Sequence, residues 1–206
     1  MIKTILYDLD GVLVDACNWH YIALNESLIF NCGFKIEIDE HELTFNGLPT
    51  QRKLEILESQ GRVKKKDFKK IWTKKQELTL KVINENANPD KSKKELHTAT
   101  KGMGIVSACV TNSIRETALI MLQKTGQIDF MDFVIANDDV KNAKPYAEPY
   151  LRAMVRLQSL PENTLIIEDS DKGYQAAIQT GSKVVRVKNA TEVTKSLILK
   201  ALEGDS

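Results

Sequence analysis

Two aspartates two residues apart, Asp8 and Asp10, close an apolar run and run straight into a glycine, and this junction constrains the fold more than any other part of the 206-residue chain. Ile2, Ile5, Leu6 and Leu9 form the kind of stretch that sits in the middle of a parallel sheet, where both faces are buried. Gly11 permits a bend that a Cβ would resist. Side chains alternate along an extended chain, so a strand through Asp10 would place Asp8 and Asp10 on one side. Like-charged carboxylates held close repel, and a divalent cation is the usual relief. Read alone, Asp10-Gly11 is equally a turn signal and Asp8 a polar strand end.

Three further strand-like segments end in groups that complement such a site. Ile105 to Val110 runs into Thr111-Asn112-Ser113, short side chains able to donate hydrogen bonds to an anion. Lys144-Pro145 follows the apolar segment Phe133-Val134-Ile135-Ala136 and its acidic turn, and Thr164 to Ile167 ends in Glu168-Asp169-Ser170, with Gly173 in the next turn. Each has a plain alternative as a helix cap, a loop or a helix start. Together, in this order and each at the carboxyl end of a strand, they are the donors, fixed cation and second acidic cluster that a phosphate-handling site needs.

Strand-like and helix-like segments alternate, which predicts an α/β fold: a Rossmann-like parallel sheet with helices on both faces. Helices are expected over residues 18–31, closed by Gly33, and over 50–60, 67–82, 114–124, 146–158, 172–180 and 192–202, with a late strand over 183–187. Residues 15–85 contain nothing like a central strand. They are expected to form an α-helical cap inserted in a catalytic core made of 1–14 and 86–206.

At 42% hydrophobic residues and net charge +1, the chain can bury a core and carries no global signal for nucleic acid or membrane. Arg62, Lys64, Lys65, Lys66, Lys69, Lys70, Lys74 and Lys75 make a basic stretch, read as a solvated helix surface because Asp67 and Glu77 stand among them. Cys17, Cys32 and Cys109 are odd in number and without zinc spacing. The first apolar segment is broken at once by Asp8 and Asp10, unlike a signal peptide, and no run is long enough to span a bilayer. A cytoplasmic protein is expected, monomeric or a weak dimer.

Over residues 2 to 188 the chain resembles the haloacid dehalogenase-like phosphohydrolases. Asp8-Leu9-Asp10-Gly11 is similar to the family's first motif, Thr111-Asn112 to its second, Lys144-Pro145 to its third and Glu168-Asp169-Ser170 to its fourth. The pattern resembles the helical-cap subgroup that includes β-phosphoglucomutase and phosphoglycolate phosphatase. The third motif departs from the common Lys-Pro-x-Pro, with Pro149 standing later, and the segment from Asn88 to Gly104 lacks the usual apolar Pro-Gly-Val-type start.

The resemblance implies a nucleophilic Asp8 that forms an aspartyl-phosphate, and an Asp10 that protonates the leaving group and then activates water. It implies Mg²⁺ held by the Asp8 carboxylate, the Asp10 backbone carbonyl and Asp169, with Glu168 ligating or orienting a bound water. Thr111, the Asn112 backbone and Lys144 would hold the phosphoryl oxygens. An acid at Asp10 favours phosphate over carbon–halogen chemistry.

In the cap, His20 falls where capped relatives carry a histidine near the hinge, and it is equally read as a histidine on the wet face of a helix. Thr50, Arg52 and Lys53 lie where the mutase holds a second phosphate, but with Thr50 in place of its arginine and Lys53 in place of its serine. A single lysine of the third cap helix pointing at the active site, as in some relatives, is left open by the sequence, as is its identity. The expected activity is a Mg²⁺-dependent phosphomonoester hydrolase for a small phosphorylated metabolite, a sugar phosphate among the candidates. The alternatives are a phosphosugar mutase and a non-hydrolytic regulatory protein on the same fold.

Overall fold

A computed structural model describes residues 1–203; the end of the expected catalytic segment at 206 lies outside them. Five parallel strands form one sheet: β1 (Thr4–Tyr7), β2 (Val106–Val110), β3 (Val134–Ile135), β4 (Thr164–Glu168) and β5 (Lys183–Arg186), in the spatial order β3-β2-β1-β4-β5. β1 is central and all four of its residues are buried, as an apolar strand hydrogen-bonded on both edges requires. The chain passes outward from β1 to β2 and β3, then returns to place β4 on the other side of β1. The carboxyl ends of β1 and β4 therefore flank the point where the winding reverses, the usual ligand position in such sheets.

β1 stops at Tyr7, three residues before Asp10, so strand alternation does not set the relation of Asp8 to Asp10. A turn does: the amides of Val12, Leu13 and Val14 all converge on the Leu9 carbonyl, and Gly11 sits at φ 90°.

The chain divides into two compact units, Met1–Asp15 with the chain from Asn88 onward, and Ala16–Ala87. The second unit is helical: α1 (Cys17–Cys32), α2 (Ile38–Glu40) leading into a π turn at His41–Phe45, α3 (Thr50–Ser59) and α4 (Phe68–Asn86). Gly33 ends α1 in the left-handed conformation, its amide on the Ile29 carbonyl. Leu24, Leu28, Ile36, Phe45, Leu54, Leu57, Phe68 and Ile71 form its core. Burying a side chain of this kind is worth about 1.5–3 kcal/mol. Polar groups fix the register: Ser27 Oγ donates to the Ile71 carbonyl across α1 and α4 (2.7 Å), and the Asn25 amide holds both backbone groups of Ile36 (2.8 and 2.9 Å). The turn at residues 38–45 was not expected; it is held by backbone bonds from His41 and Asn46.

The first unit carries α5 (Lys91–Gly102), α6 (Arg115–Lys124), α7 (Glu148–Arg156), α8 (Asp171–Ile178) and α9 (Lys195–Glu203). Helices cover both faces of the sheet, as expected. Leu6, Ala108, Val110 and Ile166 pack with Tyr150, Ala153 and Met154 of α7 and Ala176 and Ala177 of α8. On the opposite face Tyr7 meets His97 of α5 edge-on, ring centroids 5.4 Å apart. No helix among the described residues is long and apolar enough to cross a membrane. All three cysteines are free thiols, Cys109 buried in β2.

Candidate active site

The β1–β2 register pairs Tyr7 with Cys109 and the β1–β4 register pairs Tyr7 with Ile167, so Asp8, Thr111 and Glu168 leave their strands at nearly one level. The Asp8 amide stays in the ladder through the Ile167 carbonyl (3.0 Å), and the Thr111 amide through that of Ile135 (2.9 Å). Each side chain therefore starts from a fixed backbone. Asp8 is 7% exposed and Glu168 is fully buried.

The Lys144 ammonium organises the centre. It lies 2.6 Å from Asp8 Oδ1, 2.5 Å from Glu168 Oε1, and 2.8 Å from both the Val110 carbonyl and the Tyr150 hydroxyl. Burial works against its charge, but Asp8 and Glu168 outweigh burial and hold its pKa above the ordinary lysine value. Burial pushes the Asp8 carboxyl well up; Lys144 opposes this, while Glu168, Asp169 and Asp10 add to it. Burial, then Glu168, pushes Asp169 up to about 7.

Lys144 is placed by Asn112, whose amide donates to the Lys144 carbonyl (3.1 Å) and accepts from its backbone N–H (3.0 Å). This side-chain clamp was not expected; the sequence pattern pointed to the Asn112 backbone. The Thr111 hydroxyl accepts from the Ser113 amide (2.9 Å), and Ser113 Oγ donates to Asp10 Oδ2 (2.7 Å). Ser113 thus fixes the rotamer of Asp10.

Asp8, Glu168 and Asp169 each offer an oxygen, all within 4.8 Å of one another; no other such cluster occurs among the described residues. The Asp10 carboxylate stands apart from this trio, on Ser113. Hard oxygen donors held this close, with Asp8 and Asp169 raised in pKa, suit a divalent cation such as Mg²⁺, because the cation offsets the repulsion that burial magnifies. Glu168 is engaged by protein at both oxygens: Oε1 by Lys144 and Tyr150, Oε2 by the Asp169 amide (3.1 Å) and Ser170 Oγ (3.4 Å). It suits orientation better than direct ligation. Gly173 makes room for it: a Cβ there would come within 1.9–2.1 Å of the Glu168 carboxylate.

In the unit Ala16–Ala87, His20 Nδ1 lies 3.2 Å from the ammonium of Lys75. Lys75 is 6% exposed, which corrects the reading of the whole basic stretch as solvated surface. The helix turns it inward onto α1, whereas Lys65, Lys66, Lys69 and Lys70 are exposed. Thr50 opens α3 and Lys53, on the same helix, is buried. Arg52 is exposed and paired with Glu55 one turn on (2.5 Å), an arrangement that leaves it on the helix surface.

Residues 5–187 match the sequence family of haloacid dehalogenase-like hydrolases. Pyrophosphatase PpaX of Oceanobacillus iheyensis is 28% identical over 197 residues, covering 88% of this chain and 83% of the relative. A phosphorylated carbohydrates phosphatase of Thermotoga maritima is 28% identical over 182 residues, covering 87% and 82%. Among solved structures, the β-phosphoglucomutase of Clostridium difficile superposes with a TM-score of 0.83 at 22% identity, over 98% of each chain, a likeness of fold. With a match spanning most of its length and four motifs converging at the ends of adjacent strands, the chain belongs to the haloacid dehalogenase-like hydrolases.

Proposed function

We propose that this haloacid dehalogenase-like phosphatase is a Mg²⁺-dependent phosphomonoester hydrolase that works on a small phosphorylated metabolite through an aspartyl-phosphate on Asp8. The observation that carries the reading is the Asp8 carboxylate gripped by the buried Lys144 ammonium (2.6 Å) with the carboxylates of Glu168 and Asp169 beside it. A carboxylate so held is a fixed nucleophile at the end of a rigid strand, which favours in-line attack over reorganisation.

An Asp8 oxygen attacks phosphorus and the ester P–O bond breaks. Asp10, held by Ser113, gives its proton to the departing alkoxide, so the alcohol leaves neutral. Asp10, now a carboxylate, takes a proton from the water that attacks the same phosphorus, and inorganic phosphate departs with Asp8 restored. Lys144, Thr111 and the Asn112 backbone supply positive charge and donors to the phosphoryl oxygens as negative charge spreads over them. Asp8, the Asp10 backbone carbonyl and Asp169 would hold Mg²⁺, with Glu168 orienting the shell around it. The ion supplies charge neutralisation for the carboxylates and the phosphoryl group. Recognition of the rest of the substrate is assigned to Ala16–Ala87, where His20 with Lys75, Thr50, Arg52 and Lys53 are the candidates.

The two sequence relatives are a pyrophosphatase and a phosphatase of phosphorylated carbohydrates, which supports phosphoryl transfer without choosing the leaving group. The test is a panel of phosphorylated metabolites, with phosphate release measured in Mg²⁺ and in chelator, followed by acid quench and mass measurement of the enzyme. A phosphate adduct on Asp8 in the wild type and none in Asp8→Asn is expected. Turnover by Asp8→Asn near the wild-type rate would assign the attack to another group.

A further inference from the structure

Tyr150 lies in the first turn of α7, six residues beyond Lys144, and is fully buried. Its hydroxyl accepts from Lys144 Nζ (2.8 Å) and donates to Glu168 Oε1 (2.6 Å), while Lys144 Nζ itself stands 2.5 Å from that same oxygen. The three atoms close a tight triangle. The ammonium also stands over the Tyr150 ring, 4.6 Å from its centroid.

An ammonium has three N–H groups, and four acceptors surround this one: Asp8 Oδ1, Glu168 Oε1, the Val110 carbonyl and the Tyr150 hydroxyl. They compete. Glu168 Oε1 is the acceptor nearest to it, and an ammonium captured by Glu168 is drawn away from Asp8. The Tyr150 hydroxyl weakens that capture by giving Glu168 Oε1 a second donor, which shares the oxygen's negative charge.

We propose that Tyr150 is a positioning residue for phosphoryl transfer, whose hydroxyl divides the Lys144 ammonium between Glu168 and Asp8 and so keeps it at the nucleophile. This rests on the hydrolase reading above. Tyr150 acts through Lys144 and does not touch the substrate. Its ring packs on the sheet face with Leu6, Ala108, Val110 and Ile166, so Tyr150→Phe keeps the packing and removes only the hydroxyl.

Tyr150→Phe is compared with the wild type in Mg²⁺ on p-nitrophenyl phosphate. The variant should retain the wild-type unfolding temperature to within a few degrees. Its kcat should fall roughly ten- to a hundredfold, as loss of one charge-assisted contact would, with KM changed by less than about threefold. Vanadate, which mimics the five-coordinate phosphorus, should lose affinity more than inorganic phosphate does, because Lys144 counts most as charge develops on the equatorial oxygens. A kcat within about twofold of wild type overturns the proposal. Equal losses for vanadate, phosphate and KM also overturn it, since they mark a loosened pocket. A crystal structure of Tyr150→Phe gives a readout independent of activity, in which Lys144 Nζ should leave hydrogen-bond reach of Asp8 Oδ1 and keep its bond to Glu168. An unmoved ammonium overturns the inference whatever the rates. A wild-type enzyme that hydrolyses no phosphomonoester would refute the functional reading separately, with the crystallographic comparison still deciding where the hydroxyl holds the lysine.

Discussion

Gly173 offers the sharpest test of how tightly the site is built. A methyl group there would lie 1.9 Å from Glu168 Oε1 and 2.1 Å from Oε2, where real Cβ contacts keep to at least 3.0 Å, so the carboxylate must retreat by about 1 Å. It cannot do so freely, because Glu168 is fully buried and both its oxygens accept hydrogen bonds. Moving Oε1 by that distance carries the bonds to Lys144 and Tyr150 from 2.5 and 2.6 Å to beyond ordinary hydrogen-bond length. Each is worth about 1.5–3 kcal/mol when one partner is charged. Allowing for partial relaxation, Gly173→Ala should destabilise by about 3 kcal/mol, the upper part of the range for overpacking a core. At 2–4 °C per kcal/mol for a chain of this size, the unfolding temperature should fall by about 6–12 °C. Turnover should fall at least tenfold as well, since a displaced Glu168 takes Lys144 with it. The clash is specific to one side chain, so the penalty should nearly vanish in a Glu168→Ala background, which a double-mutant cycle in thermal unfolding measures. A Gly173→Ala protein that melts within about 2 °C of wild type and keeps its turnover would refute the claim that Gly173 is there for Glu168.

Asp10→Asn should slow turnover by two to four orders of magnitude, roughly the worth of a positioned proton-transfer group, and by much less for p-nitrophenyl phosphate, whose leaving group needs no proton in the first step. Equal losses for alkyl and aryl esters in steady-state assays would contradict that role. Lys93 of α5 donates to the carbonyls of Ala190 and Val193 (2.6 and 2.8 Å), so Lys93→Met should cost about 2 kcal/mol in urea unfolding and leave kcat unchanged; a cost near zero would mean those carbonyls find other donors. Asp169, pushed up to about 7 by burial and by Glu168, binds a proton in the metal-free fold that the unfolded chain has released above about pH 4. Metal-free stability should therefore decline as pH rises from about 4 to about 7, and the gain in unfolding temperature from Mg²⁺ should be larger near pH 8 than near pH 5. Equal gains at both pH values would count against Asp169 as a ligand.

The parts of the site that follow directly from chain-local chemistry were legible in the sequence. Asp8, Thr111 and the Glu168-Asp169 pair each end an apolar segment, and a parallel sheet brings such ends to one edge. What escaped was side-chain chemistry that depends on distant partners. Tyr150 reads as one more residue of a helix until Glu168, eighteen positions on, is found against its hydroxyl. Lys75 looks like any member of its basic stretch, and only the packing of α4 on α1 sets it beside His20. Helix α5 was missed because its buried face is Lys93, Leu96, His97 and Thr100, a stripe with one strongly apolar member. Bonding offsets much of the cost: Lys93 donates to two carbonyls and His97 Nε2 bonds Gln127 (3.0 Å), while His97 Nδ1 is buried without a partner. Periodicity of hydrophobicity cannot report a helix buried through polar residues.

The same dependence on partners explains why the centre tolerates so much negative charge. Asp8 and Glu168 both pair with the buried Lys144, Asp169 stands beside them, and burial with the neighbouring carboxylates raises the pKa of Asp8 and Asp169. A phosphate ester brings further negative charge to the same place. On the proposed reading, a divalent cation would offset the negative charge of Asp8, Asp169 and the ester together. Asp8 and Asp169 would hold it, and it would add positive charge to that supplied by Lys144. Lys144 is fixed by covalent attachment and four acceptors, whereas a metal at Asp8 and Asp169 would be exchangeable. Chelation should therefore abolish turnover while the Lys144 bonds, and with them the fold, persist.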